Sequence, residues 1–319
     1  MDFSNILGEA NETIKRFKEK NNDWVVIIRW ATATGKSRLS VELSSYFKNM
    51  EVISSDSRQI FREMDIGTDK ISAEIRQRIP HHQIDIVNPD ETYTAGQWKE
   101  DVDKQIDEIL ARWNFPFIVW GTGLYIDTIY KNFSMPECPP DYELRNKLEN
   151  LEKENPWYVY NELKKVDPEE ASKLHPNSTR YIIRALEIYH NTWKTKTEWY
   201  IQQPVRHPLL MLWLRRDKET TNQLINTRIK EMFQAWLVDE VDGLLKKGYS
   251  PSLQSMQGIG YKEVIWYLNW EYNYEKMDEL LKRDTHHLAK KQRTWFRRYI
   301  ADEKENPKKD VVYKVWYLD

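Results

Sequence analysis

An α/β fold is predicted for this 319-residue chain: a P-loop parallel sheet flanked by helices, with a helical insertion domain. The apolar run Trp24-Val25-Val26-Ile27-Ile28 leads into Trp30-Ala31-Thr32-Ala33-Thr34-Gly35-Lys36-Ser37, and this into the helix start Ser37-Arg38-Leu39-Ser40-Val41-Glu42-Leu43. Strand, loop and helix in that order are the context a phosphate-binding loop requires. Short apolar runs recur at Glu51-Val52-Ile53-Ser54-Ser55 and Phe115-Pro116-Phe117-Ile118-Val119, separated by loop and helical stretches, as in a parallel sheet. From about residue 129 to 204 the pattern changes to charged amphipathic stretches, such as Tyr142 to Glu154 and Arg180 to His190, entered through Pro136, Pro139 and Pro140.

These features divide the chain into a sheet-bearing core, 1–128 with 205–319, and a helical insertion, 129–204. Residues 1–22 read as a polar, solvated lead-in. The strand-like Leu209-Leu210-Met211-Leu212 returns the chain to the core. Helices are expected at roughly 219–247, 260–268, 275–282 and 284–302, before a last strand near Val311 to Leu318.

The bulk numbers exclude some functions. With 48 basic and 50 acidic residues, any surface for a polyanion must be local. The single Cys138 gives no disulfide scaffold and fits a reducing compartment. No run of 18 apolar residues occurs and the start is polar, so a soluble cytoplasmic protein without membrane contact is expected; separately, a monomer is expected.

Within the loop, Lys36 supplies an ammonium for phosphate oxygens and Ser37 a hydroxyl suited to Mg²⁺. Asp56 follows a strand end in Ser54-Ser55-Asp56-Ser57-Arg58-Gln59, where a carboxylate could take a proton from a substrate or cap the next helix. Gly121-Thr122-Gly123 offers a tight turn with one hydroxyl. Pro80-His81-His82 and His286-His287 read as structural histidines, since adjacent side chains diverge and no matching Cys or His cluster exists. Lys290-Lys291-Gln292-Arg293-Thr294-Trp295-Phe296-Arg297-Arg298 places basic and aromatic side chains on one helix, a pattern suited to a polynucleotide backbone. Arg180 and Arg184 share a helix face and could touch the same polyanion, and Arg228 could reach a second phosphate.

One composition anomaly runs through these motifs. The chain has 14 Trp and 10 Gly, where average usage of about 7% glycine would give roughly 22. Trp30 stands where a phosphate-binding loop opens with glycine, and Trp113, Trp157, Trp193 and Trp270 stand at expected turns or helix ends.

The motifs together resemble the bacterial tRNA dimethylallyltransferases, the isopentenyl-tRNA transferases. The resemblance rests, in chain order, on Thr32-Ala33-Thr34-Gly35-Lys36-Ser37; Asp56 to Phe61 with Met64-Asp65-Ile66-Gly67-Thr68; Pro80-His81-His82 with Ile84-Asp85; Gly121 to Tyr125; His175-Pro176-Asn177 with Arg184 to Glu187; Leu237 to Val241; Gly258 to Glu263; and Gln292 to Arg297. It implies transfer of a dimethylallyl group from dimethylallyl diphosphate to N6 of adenosine 37, beside the tRNA anticodon, with Mg²⁺ assisting departure of the diphosphate. It implies Asp56 as base and Thr122 near the reacting centre. Diphosphate contacts are implied from Trp30, Ala31, Thr32, Ala33, Thr34, Gly35, Lys36, Ser37 and Arg228, with Ser37 at the metal. Contacts to the tRNA anticodon stem-loop are implied from Asp56, Ser57, Arg58, Gln59, Thr122, Arg145, Arg180, Tyr181, Ile182, Ile183 and Arg184, and from Gln257, Gly258, Ile259, Gly260, Tyr261 and Lys262.

The departures from the family pattern run one way. Glycine is expected at Trp30, Trp120, Trp193 and Trp236, and more weakly at Trp113, Trp157, Trp213, Trp266 and Trp270, as if UGA codons encoded glycine in the source genome. Ala31 also replaces a usual proline and Tyr181 a usual arginine. Two rival readings remain on sequence alone: a P-loop small-molecule kinase, and a non-catalytic tRNA-binding protein if the indoles at 30 and 120 are real.

Overall fold

The computed structural model describes residues 2–29, 31–119, 121–305 and 308–318, with no side-chain description for 300–305. Trp30 and Trp120 lie outside the described residues. In chain order the elements are α1 (Phe3–Lys20), β1 (Val25–Arg29), α2 (Lys36–Leu43), β2 (Met50–Ser54), α3 (Ala73–Arg78), β3 (His81–His82), α4 (Ala95–Ala111), β4 (Phe115–Val119) and α5 (Gly123–Tyr130). They continue with α6 (Tyr142–Glu154), α7 (Tyr158–Val166), α8 (Pro168–Lys173), α9 (Thr179–Thr192), α10 (Lys196–Trp199), β5 (Leu209–Arg216), α11 (Lys218–Gln234), α12 (Leu237–Lys246), α13 (Tyr261–Leu268), α14 (Tyr274–Glu305) and β6 (Val311–Leu318).

The strands form one six-stranded sheet, ordered β3-β2-β4-β1-β5-β6 and parallel throughout. β1 and β2 are buried on both faces, which explains their unbroken apolar runs. β1 is central, and the order reverses around it, so the loop after β1 opens at a switch point where ligands of parallel sheets collect. The chain divides into two compact units, Met1–Asp127 with Val205–Asp319, and Thr128–Pro204. The second unit is helical and has its own core around Leu148, Val159, Leu163, Ile182 and Leu186.

Three expectations are corrected. Residues 3–20 are no solvated lead-in: Ile6, Ala10, Ile14 and Phe17 recur on one helix face and are buried in the main core, and the Trp316 indole donates to Glu9. The helix expected over 275–282 and the one over 284–302 are a single helix, α14. The helix expected over 219–247 is instead divided into α11 and α12, and the break falls at Trp236.

That break exposes a pattern. Trp113, Trp157, Trp193, Trp236 and Trp270 have φ of 62°, 69°, 56°, 72° and 61°, in the left-handed region that a Cβ disfavours and glycine occupies freely. All are exposed, from 57% at Trp157 to 92% at Trp270. Trp24, Trp98 and Trp316 are buried, and the Trp98 indole donates to Ser54 O at 3.2 Å. Trp213 and Trp266 do not join the first group: Trp213 is a buried β5 residue packed on the Arg29 guanidinium at 4.6 Å, and Trp266 lies within α13.

Candidate active site

The phosphate loop folds as its composition dictates. Gly35, at φ 90°, makes the left-handed step that starts α2 at Lys36, so first-turn amides without helical partners head the helix, a natural anion site. Thr34 Oγ1 donates to Ala31 O at 2.9 Å and Lys36 Nζ to the same oxygen at 2.7 Å. Burial, with Arg228 adding repulsion, pushes the Lys36 ammonium down to about 7, against the pull of Asp56 and Asp69. As pH rises through about 7 Lys36 loses its proton, and a diphosphate beside it would favour the charged form. Calorimetry in buffers of differing ionisation enthalpy should show proton uptake on pyrophosphate binding at pH 8, and affinity falling as pH rises through about 7. Binding without proton uptake would contradict this.

Arg228, on α11, donates to Thr32 Oγ1 at 3.0 Å and pairs with Asp69 at 2.9 Å, which sets a second cation at the loop. Asp56 follows β2 and its Oδ1 accepts the Arg58 amide at 2.8 Å. Burial raises the Asp56 carboxyl above the ordinary carboxylate range, partly countered by Arg58 and Lys36. Thr122 follows β4. Its Oγ1 accepts the Ser57 amide at 3.0 Å and donates to Ser57 Oγ at 3.3 Å, so the β2 and β4 loops are joined at the acid.

A cavity of about 310 Å³ is lined by the loop residues Thr32 to Ser37 with Asp56, Asp69 and Arg228. One of about 430 Å³ shares Thr32, Asp56 and Arg228 with it and extends to Thr122, Gln257, Ile259, Lys291 and Trp295. A phosphate cradle and a carboxylate with raised affinity for a proton thus face a common space.

Several residues implied as tRNA contacts have structural partners within the protein. Gln59 is buried, and its amide donates to Thr68 O and Asp69 O. Ile182 and Ile183 lie in the core of the helical unit. Tyr261 is buried with its hydroxyl on Glu240, and Lys262 pairs with Asp284 at 2.8 Å. Arg145 grips buried Glu187 at 2.7 and 2.8 Å and Arg184 pairs with the same carboxylate, which these partners hold below the usual range despite its burial. Arg58, Gln257 and Ile259 remain in or beside the cavity, and Arg180 and Tyr181 are exposed on α9. Lys290, Lys291, Arg297 and Arg298 are exposed on α14, as the basic-helix pattern predicts.

Sequence reading assigned no role to Glu240, yet its carboxylate accepts the amides of Asp65, Ile66 and Gly67 at 2.9, 2.8 and 3.2 Å and the Tyr261 hydroxyl at 2.6 Å. It braces the 65–69 loop that presents Asp69 to Arg228. The only signal was its place in Leu237-Val238-Asp239-Glu240-Val241. Glu240→Ala should cost about 3 kcal/mol in urea unfolding, because charged hydrogen bonds contribute roughly 1.5–3 kcal/mol each and partners are stranded. An unchanged midpoint would refute that role.

Comparison with known proteins fits this geometry. The IPP transferase family profile matches residues 59–299. The chain belongs to the IPP transferase family. It is similar to the tRNA dimethylallyltransferase of Dictyoglomus turgidum, 42% identical over 86% of this chain and 85% of that protein. The homologue from Halothermothrix orenii is 43% identical over 87% and 86%. Among solved structures, the Bacillus halodurans tRNA isopentenylpyrophosphate transferase is 34% identical over 93% of this chain and 90% of that one, with a TM-score of 0.63. A eukaryotic dimethylallyltransferase captured acting on tRNA gives a TM-score of 0.76 at 30% identity, over 92% and 74%. The fold of this transferase and its membership of a prenyl-transferring family therefore agree.

Proposed function

We propose that this transferase moves a dimethylallyl group from dimethylallyl diphosphate to N6 of adenosine 37 in the tRNA anticodon stem-loop. The observation that carries the reading is the common space between the Lys36 loop and the Asp56–Thr122 pair. The N6–C1 bond forms as the C1–O bond to diphosphate breaks, the diphosphate leaves with the electron pair, and the N6 proton passes to Asp56. A carboxylate is useful there because an exocyclic amine is a weak nucleophile until its proton leaves. Thr122 orients the Asp56–Ser57 turn, while Lys36 and Arg228 hold the departing charge.

Among the described residues no group of three or more His, Cys, Asp or Glu is arranged for a metal. Ser37 lines the cavity with Asp56 and Asp69, a set that suits Mg²⁺ bound mainly through substrate phosphate and water. Mg²⁺ would neutralise charge on the leaving diphosphate. The exposed basic face of α14 supplies phosphate contacts to the RNA. No described helix is long and apolar enough to cross a membrane, and a cytoplasmic, monomeric enzyme fits this substrate. The basic helix and the family match favour this reading over a small-molecule kinase. ATP turnover without RNA, with no transfer from dimethylallyl diphosphate, would select the kinase instead.

A further inference from the structure

One side chain joins the donor half of the site to the acceptor half. Gln292, on α14, accepts the Thr32 amide of the phosphate loop on Oε1 at 2.8 Å and donates from Nε2 to Gly121 O at 3.2 Å, at the turn that carries Thr122. It lines both cavities. Its helix is fixed nearby: Phe296 and Ala289 are buried, and Trp295 lies so close over Gly123 that a Cβ there would come within 2.6 Å of the indole. Thr32 is held from the other side by Arg228, and Thr122 by Ser57. The Gln292 amide thus closes a chain from Asp69 and Arg228 through the phosphate loop to the Asp56 turn.

We infer that Gln292 is a positioning residue that sets the register between the allylic diphosphate and the Asp56–Thr122 pair. This rests on the prenyl-transfer reading. Transfer needs nitrogen, allylic carbon and leaving oxygen in line, and a misplacement of about 1 Å costs about 100-fold. Gln292 reaches neither the proton nor the leaving group in this scheme; it acts through the loops it ties.

The test uses the full chain carrying Trp30→Gly and Trp120→Gly, with Gln292→Met and Gln292→Glu added separately. Gln292→Met should lower kcat about 10- to 100-fold, with the KM for stem-loop RNA within about twofold and the melting midpoint unchanged. Gln292→Glu, which sets a negative charge at Thr32, should raise the KM for dimethylallyl diphosphate more than Gln292→Met does. Exchange of the Thr32 amide, read without substrate, should quicken in Gln292→Met. Unchanged kcat, a loss confined to RNA KM, a loss that tracks unfolding, or unchanged Thr32 exchange would each overturn the clamp. The exchange measurement needs no turnover, so it judges the clamp separately from the prenyl-transfer reading.

The left-handed tryptophans carry a second inference independently. We infer that Trp113, Trp157, Trp193, Trp236 and Trp270 are glycines in the protein its own host makes. Trp193 caps α9 with its amide on Tyr189 O at 2.8 Å, and Trp270 follows α13 with its amide on Tyr267 O at 3.0 Å; both are glycine's usual place past a helix end. A bulky residue there carries steric strain and, mostly exposed, regains little by burial. Peptide masses from the native protein should show glycine at these positions and tryptophan at Trp24, Trp98 and Trp316. Tryptophan masses at all five, or UGG codons there, would overturn the inference.

Discussion

Asp56→Ala should lower prenyl transfer by about 100- to 10,000-fold, the usual worth of a positioned general base, while binding of the anticodon stem-loop stays within a few-fold. The carboxylate lies where burial opposes its ionisation, and that sets two opposite signs. Its folded-state affinity for a proton exceeds that of the unfolded chain, so its contribution to stability is complete below the unfolded value near 3.8 and is lost as pH rises through the higher folded value. At neutral pH ionised Asp56 costs stability, so Asp56→Asn should melt at a higher temperature while losing activity. The acid limb of kcat/KM should likewise fall above the ordinary aspartate range and vanish in the variant. An Asp56→Asn protein with full transfer would remove the base from the scheme.

The second large effect concerns the left-handed residues. Changing Trp113, Trp157, Trp193, Trp236 and Trp270 to glycine should each stabilise the protein by about 1 kcal/mol, since the left-handed penalty of roughly 1–2 kcal/mol per residue exceeds glycine's entropic cost. The sites are separate enough to add, giving about 5 kcal/mol together. Trp98→Gly should act in the opposite direction by about 3–5 kcal/mol, as an emptied core does. Its ring is buried, stacks on Tyr125 at 4.4 Å and donates to Ser54 O. Melting curves of the six single variants check both signs, and a uniform loss across all six would contradict the assignment.

What the sequence disclosed follows from where the physics is local. Strands β1, β2, β4 and β5 announce themselves because both faces of a parallel sheet are buried, so Val25 to Ile28 and Leu209 to Leu212 are unbroken apolar runs. The phosphate loop is legible because its chemistry lies in a contiguous segment. The first helix reads as solvated although Ile6, Ala10, Ile14 and Phe17 show helical spacing, because the charged residues between them dominate its composition. The site's cross-links were beyond reach for another reason. Gln292 lies 260 residues from Thr32 and 171 from Gly121, and nothing local shows that it serves both. Gln59, Tyr261, Ile182 and Ile183 show the converse: the resemblance implied RNA contacts at these positions, yet their side chains are buried in the fold.

The central claim is that two adjoining cavities bring a prenyl diphosphate on the Lys36 loop to an amine on the Asp56 side. The direct measurement is nucleoside analysis of an anticodon stem-loop after incubation with dimethylallyl diphosphate, Mg²⁺ and the chain carrying Trp30→Gly and Trp120→Gly. The account predicts a single dimethylallyl group, on N6 of adenosine 37, with pyrophosphate released in equal amount. Stem-loop that binds the protein but comes back unmodified would contradict it.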